Sequence, residues 1–203
     1  MTEEEQEGPR RSIGARRNPA SAEAILEAAE AILAESGPSG FSIEAVARRA
    51  RAGKPTIYRW WPTRMILLLD VYHRQKGLPR FERTGDLAEE LHIFLRELLK
   101  RWREGPMGQI FRMIIAEAQT DEETSEALAN YLLNRRRDLA TLFAEAAARQ
   151  PSAPRANPEL AAEIVSAFAW ERLLTGRLDV PDEEIRDVTR IIANGFLRPP
   201  PRG

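Results

Sequence analysis

The sequence predicts an all-α protein of about nine helices, a small three-helix N-terminal head followed by a larger helical domain. Three observations carry this. Apolar residues recur at intervals of three and four from about residue 19 to about residue 197, the spacing that lines one face of a helix. No stretch alternates apolar and polar residues as a half-buried strand would. The periodic segments are separated by residues that start or stop helices: Gly37, Gly53 with Pro55, Pro62, and Asn157 with Pro158.

Composition narrows the classes. With 203 residues, 43% of them hydrophobic, the chain can bury one substantial core, or one small domain and one larger one. Thirty basic and 31 acidic side chains nearly cancel, so any electrostatic footprint must be local. The absence of cysteine excludes disulfides, thiolate metal sites and thiol redox sensing, and points to an intracellular, cytoplasmic protein. No run of about 18 apolar residues offers a membrane span. The opening "MTEEEQEGPRRSIGARR" has no apolar segment of the kind an export signal needs.

Taken in order, residues 1–17 are polar, contain Gly8, Pro9 and Gly14, and read as a disordered arm. Ile25, Leu26, Ala29, Ile32 and Leu33 predict a first helix over about 19–36, stopped by Gly37. Ser42 is a good N-cap and Glu44 an acidic first-turn residue for a short helix over about 42–50, with Ile43, Val46, Ala47 and Ala50 as its apolar stripe. "RAG" turns the chain, Gly53 caps, and Pro55 sits in the first turn of a helix over about 54–61. Two short helices across a tight turn make a helix-turn-helix. After Pro62, Thr63 caps a longer helix to about residue 77. Two further periodic segments follow, carrying Leu87, Leu91, Leu95 and Trp102, then Ile110, Phe111, Ile114 and Ala118. A long helix spans about 121–150. Asn157 and Pro158 open another to about Gly176, and the last spans about 181–197.

The segment "AGKPTIYRWWPTR" sets basic side chains among large aromatics. From Ser42 to Arg64, six basic residues (Arg48, Arg49, Arg51, Lys54, Arg59, Arg64) face only Glu44, a local net charge of +5 in a chain whose total is −1. A solvated helical face would account for the charges alone. Their coincidence with the helix-turn-helix and with Tyr58, Trp60 and Trp61 favours a surface that meets a polyanion, where counterion release would strengthen binding.

These residues carry a family resemblance. From about Asn18 to Tyr72, and most plainly in "VARRARAGKPTIYRWWPTRMILLL", the chain resembles the DNA-binding head of TetR-family transcriptional repressors, with Val46, Ala47, Ala50, Thr56, Ile57, Tyr58, Trp61, Pro62 and Leu67 at positions where that pattern has such residues. There are two departures. Arg51 stands where the family usually has a turn glycine, which in a left-handed conformation costs roughly 1–2 kcal/mol, a cost that a charge contact would offset. Arg64 and Met65 replace the usual Lys-Glu, and the arginine still reaches phosphate.

The resemblance implies a DNA-binding head over 18–64, a helical ligand-sensing and dimerisation domain over 65–198 and a short tail over 199–203. It sets Lys54 and Pro55 at the tip of the recognition helix, where Lys54 would pair with guanine O6 and N7 and Thr56 would follow by hydroxyl or methyl. Tyr58, Arg59 and Trp60 would clamp the phosphate backbone, with packing between helices as the alternative for Tyr58 and Trp60. Ser42, Thr63 and Arg64 would hold phosphates at helix starts. Trp61 belongs to the core, and Arg16 and Arg17 are either a minor-groove arm or solubilising charge.

In the rest of the chain, "IIAEAQTDEETSEAL" and "ERLLTGRLDVPDEEI" are similar to segments of one kind of C-terminal domain in that family. That similarity implies a homodimer through the last two helices, about 157–176 and 181–197. The many-sided apolar pattern over 160–174 is consistent with such pairing and equally with a buried monomer helix. A small apolar or amphipathic effector would lie among Phe94, Leu98, Trp102, Phe111, Ile114, Leu132 and Phe168, oriented by a group such as Gln109, Arg112 or Gln119. No other cofactor and no metal is expected.

The reading is thus a ligand-responsive repressor that binds a palindromic double-stranded operator as a homodimer. An enzyme is the first rival, with little behind it: His73 and His92 have no metal-ligand spacing and both are expected at helix surfaces, and there is no phosphate loop or nucleophile elbow. A helical protein-interaction module with only non-specific DNA affinity is the second, and an activator the third. Glu89, Glu90 and Glu117 read as solvated carboxylates.

Overall fold

The computed structural model describes residues 19–74, 83–149 and 156–197. The expected arm with Arg16 and Arg17, the tail, the continuation of the fourth helix to residue 77 and the helix end at Gln150 lie outside those residues. Among the described residues there are nine α-helices and no strand: α1 (Pro19–Ser36), α2 (Ile43–Ala50), α3 (Lys54–Trp60), α4 (Arg64–Arg74), α5 (Leu87–Glu104), α6 (Met107–Glu117), α7 (Glu122–Arg149), α8 (Pro158–Thr175) and α9 (Asp182–Leu197). A single 3₁₀ turn at Pro38–Gly40, which periodicity is too short to reveal, joins α1 to α2.

Local chemistry sets the helix ends. Ser42 Oγ accepts the Ala45 amide at 3.1 Å, Asp86 caps α5 through the Ala88 amide at 2.9 Å, and Asn157 accepts the Glu159 amide at 2.9 Å at the start of α8. Thr63 Oγ1 caps α4 through the Ile66 amide at 3.2 Å. α2 ends on Arg51, whose backbone is left-handed at φ 51° and ψ 38°, the only positive-φ non-glycine among the described residues. The Ala52 amide then closes on the Ala47 carbonyl at 3.0 Å. Gly176, at φ 74°, ends α8 in the same manner.

In the head, α1 packs against α2, α3 and α4 around Ile25, Ala29, Leu33, Phe41, Val46, Ile57 and Trp61, all buried. Trp61 is core, and its indole N–H donates to Asp70 Oδ2 at 2.6 Å. α4 runs from the head into the body, where it packs on α6 and α7; there α7 lies along α8 and α5 along α9.

Two surface assignments are corrected. His92 is 1% exposed, its Nε2 2.6 Å from Asp182 Oδ1. The residue lies beside the apolar stripe of α5, and α9 covers a wider band of that helix than the stripe alone indicates. Glu90 is fully buried. Its Oε1 accepts the Gly85 amide at 2.9 Å, and its Oε2 lies 3.9 Å from Arg149. Glu117 is exposed, and Glu89 is half-buried and pairs with Arg186 at 3.1 Å. His73 is exposed, its ring edge-on to Tyr131.

Candidate nucleic-acid interface and sensing cavity

The helix-turn-helix presents one continuous polar surface. Arg51, Lys54, Pro55, Tyr58, Arg59 and Arg64 are exposed, and Ser42, Thr56, Trp60 and Thr63 are half-buried beside them. α3 anchors through Ile57, which is fully buried, while Lys54 and Tyr58, one helical turn apart on a neighbouring face, are exposed together. Tyr58 is 46% exposed, open to solvent or to a partner. Trp60 departs from its expected role as a phosphate donor. Its indole nitrogen is enclosed and its ring packs against the core 6.0 Å from that of Trp61, because the last turn of α3 rolls that face inward.

Part of the positive charge is held internally. Lys54 Nζ lies 2.5 Å from Glu44 Oε1, an exposed pair that raises the lysine pKa and lowers that of the carboxylate, chiefly through this hydrogen bond. Arg49 makes a two-pronged contact with Glu35 at 2.6 and 2.7 Å and so braces α2 against α1. Arg64 donates to the Phe41 carbonyl at 3.4 Å. The side chains that remain outward at the α2–α3 turn form the strip an anion would meet.

Below the head, α4 to α8 enclose a cavity of about 620 Å³. Of the seven residues expected around an effector, Phe94, Leu98, Trp102, Phe111 and Leu132 line it. Ile114 is buried in the core away from it, because its side of α6 is packed within the body, and Phe168 lies off it with the Arg172 guanidinium 3.9 Å over its ring. The expected polar groups are elsewhere too. Gln109 is exposed, Arg112 donates to the Leu173 carbonyl at 3.4 Å, and Gln119 donates to the Ile115 carbonyl of its own helix. Sequence reasoning missed Tyr72, Tyr131 and Trp170 in the wall and the rim groups Arg135, Arg136, Glu163 and Ser166. The i, i+3, i+7 spacing of Leu132, Arg135 and Leu139 was a usable signal for the α7 side.

Phe111 is the centre of the aromatic wall. It stacks on Tyr72 with ring centroids 4.9 Å apart and on Trp102 at 5.9 Å, while Trp170 meets it edge-on at 5.6 Å. The Trp102 indole N–H donates to the Tyr72 hydroxyl at 2.8 Å. Burial pushes the phenols of Tyr72 and Tyr131 up, so both stay protonated at neutral pH. Gly108 lets α6 approach α5 here: a Cβ on it would fall 2.4 Å from the Trp102 carbonyl oxygen.

α4 connects the two regions. Thr63, at its start, shares a 3.1 Å hydroxyl contact with Thr124 of α7, and eight residues after Arg64, about 12 Å along the helix axis, Tyr72 enters the cavity wall. At its end Arg74 is paired with Glu23 and, at 3.4 Å, with Glu30, which fastens α4 to α1. No described helix is long and apolar enough to cross a membrane.

Comparison with known proteins agrees with both halves. Residues 25–71 match the family model "Bacterial regulatory proteins, tetR family", and residues 81–192 match "Tetracyclin repressor-like, C-terminal domain". The chain is 24% identical over 186 residues to the HTH-type transcriptional regulator YdeS of Bacillus subtilis (strain 168), covering 90% of this chain and 91% of that one. It is 31% identical over 125 residues to the HTH-type transcriptional regulator AqdR of Rhodococcus erythropolis, covering 60% and 58%. Among solved structures, the TetR family transcription regulator SCO0332 superposes with a TM-score of 0.76 at 25% identity, covering 86% of this chain and 97% of that one. The head, the body and their connection through α4 are those of a bacterial transcriptional regulator, and the chain belongs to the TetR family.

Proposed function

We propose that the protein is a ligand-responsive repressor that binds a palindromic operator as a homodimer and releases it when a small apolar or amphipathic effector occupies the cavity. The observation that carries this reading is α4. One helix begins at the residues beside the DNA-facing strip and ends in the aromatic wall of the cavity, fastened to α1 by Arg74. A ligand that moves Tyr72 moves the head with it. Two recognition helices engage successive major grooves only when about 34–36 Å apart. An effector that binds a different spacing more tightly therefore weakens DNA binding, and DNA weakens effector binding by the same factor.

The roles on DNA follow from exposure. Lys54, once released from Glu44, reads a base edge; Tyr58, Arg59, Arg51 and Arg64 hold phosphates. Homodimerisation is supported by the apolar face of α8 and α9, where Leu160, Ile164, Leu174 and Ile191 are all more than half exposed.

The test is fluorescence-anisotropy binding to duplexes enriched by selection, beside a scrambled duplex at several salt concentrations. A palindrome bound about 10³-fold or more above the scrambled control is expected. Lys54→Ala should erode that ratio roughly 5- to 150-fold, and Tyr58→Phe should weaken both duplexes alike. Weak, equal, salt-abolished binding to both would replace this reading with a helical interaction module whose basic strip is only electrostatic.

A further inference from the structure

Glu44 is out of place on the surface it occupies. It is the only acidic residue between Ser42 and Arg64, where six others are basic. It stands in the first turn of α2, with Oε1 2.5 Å from Nζ of Lys54, the first residue of α3, and both side chains are about half exposed, at 56% and 50%. An exposed ion pair contributes about 0–1 kcal/mol to stability, and a carboxylate in the first turn of a helix adds a similar amount. Neither accounts for an anion on the strip that meets a polyanion, where phosphate repels it. The hydrogen bond to Lys54 lowers the Glu44 pKa and raises that of the lysine, so both carry charge at neutral pH.

We infer that Glu44 is a second base-reading residue: on the operator the Glu44–Lys54 pair opens onto one G·C pair, with Lys54 donating to guanine O6 and N7 and Glu44 accepting from the N4 amino group of the paired cytosine. This rests on the operator-binding reading above. Lys54 begins α3, and the N-terminal residues of a recognition helix are those that reach base edges; Glu44 is held beside it. The major groove offers donors only at cytosine N4 and adenine N6, so a carboxylate facing it finds a partner only there. In a G·C pair guanine O6 and cytosine N4 lie side by side, hydrogen-bonded at about 2.9 Å, close to the 2.5 Å that separates Nζ from Oε1. Ammonium and carboxylate thus exchange each other for an acceptor and a donor of matching spacing, and neither charge loses its partner. G·C is favoured over A·T because guanine gives the ammonium two acceptors on one edge, whereas adenine N6 has single acceptors on either side, N7 and a thymine O4 crowded by the methyl group. Phosphate is no substitute. It takes Lys54 but strands Glu44 beside further phosphates, which disfavours wrong sequences by repulsion while the right one is favoured by contact.

The test is anisotropy binding of wild type, Glu44→Ala, Lys54→Ala and the double variant to the selected operator and to a scrambled duplex. In one half-site, the G·C pair whose selection Lys54→Ala relaxes is changed to A·T, or its cytosine is replaced by an analogue that lacks the N4 amino group. Either change should weaken wild type roughly 5- to 150-fold. Glu44→Ala should be indifferent to the analogue and should bind the scrambled duplex more tightly than wild type, and the double variant should relax no base pair beyond that one. The inference is overturned if Glu44→Ala discriminates against the analogue as wild type does, if it loses affinity for operator and scrambled duplex alike, as the loss of a purely structural ion pair would cause, or if Glu44→Ala and Lys54→Ala relax different base pairs. A preference for A·T at the shared position overturns the assignment to cytosine. Wild type that selects no sequence refutes the operator-binding reading itself, a result seen before any variant is made.

Discussion

Tyr72→Phe isolates the contact that ties α4 to the cavity wall. The ring is 1% exposed and stacked on Phe111, so the substitution keeps its packing and deletes only the hydroxyl that accepts from Trp102 Nε1 at 2.8 Å. Trp102 is 4% exposed, which leaves its indole N–H without access to water once the acceptor is gone. A stranded buried donor costs about 1–3 kcal/mol, and for a chain of this size each kcal/mol lowers Tm by roughly 2–4 °C. Urea melts should therefore show a lower midpoint with an unchanged slope. Trp102→Phe costs more because it also empties volume, and the double variant should recover a coupling of at least about 0.5 kcal/mol. A Tyr72→Phe protein as stable as wild type, with no coupling to Trp102→Phe, would refute the claim that this bond joins α4 to α5.

Three other outcomes are expected. Arg51→Gly relieves a left-handed backbone and should raise stability by about 1 kcal/mol, while lowering the salt dependence of DNA binding by about one phosphate contact; urea melts and anisotropy titrations over a salt series check the two effects separately. Gly108→Ala forces a Cβ against the Trp102 carbonyl and should destabilise by about 1–3 kcal/mol, visible in thermal melts and absent for Gly195→Ala, where a Cβ meets nothing within 4 Å. The Asp182 carboxyl is held below the usual aspartate range chiefly by its hydrogen bond to His92, with Arg186 adding to the effect. Its folded pKa is depressed, so its stabilising contribution is complete above the ordinary aspartate pKa and is lost as pH falls through the lowered value. The acid-side fall in Tm should be shallower in Asp182→Asn than in wild type.

The head was legible because its signals are local. Caps, turn residues and first-turn prolines act within a few residues of chain, so Ser42, Gly53 and Thr63 could be placed before any packing was known, whereas a left-handed backbone at Arg51 was suggested only by the family resemblance, which has glycine there. The basic strip was legible for the same reason: its charges lie within one short stretch. The cavity was only partly so. Phe94, Leu98 and Trp102 share a face of one helix, and periodicity finds a face, but it does not distinguish a wall from a core, which is why Ile114 and Phe168 were grouped with them.

By itself the sequence determined the helical class, the helix-turn-helix and the positions where helices begin and end, because each depends on neighbours three or four residues away. Tertiary structure alone decided which side of each helix met another. It buried His92 against Asp182, 90 residues distant, and Glu90 beneath the turn before α5, and it rolled the Trp60 indole inward. It also brought Tyr72 of α4, Tyr131 of α7 and Trp170 of α8 around Phe111. Burial is a property of what another element covers, and no local pattern within a helix encodes the width of the face that its partner will take.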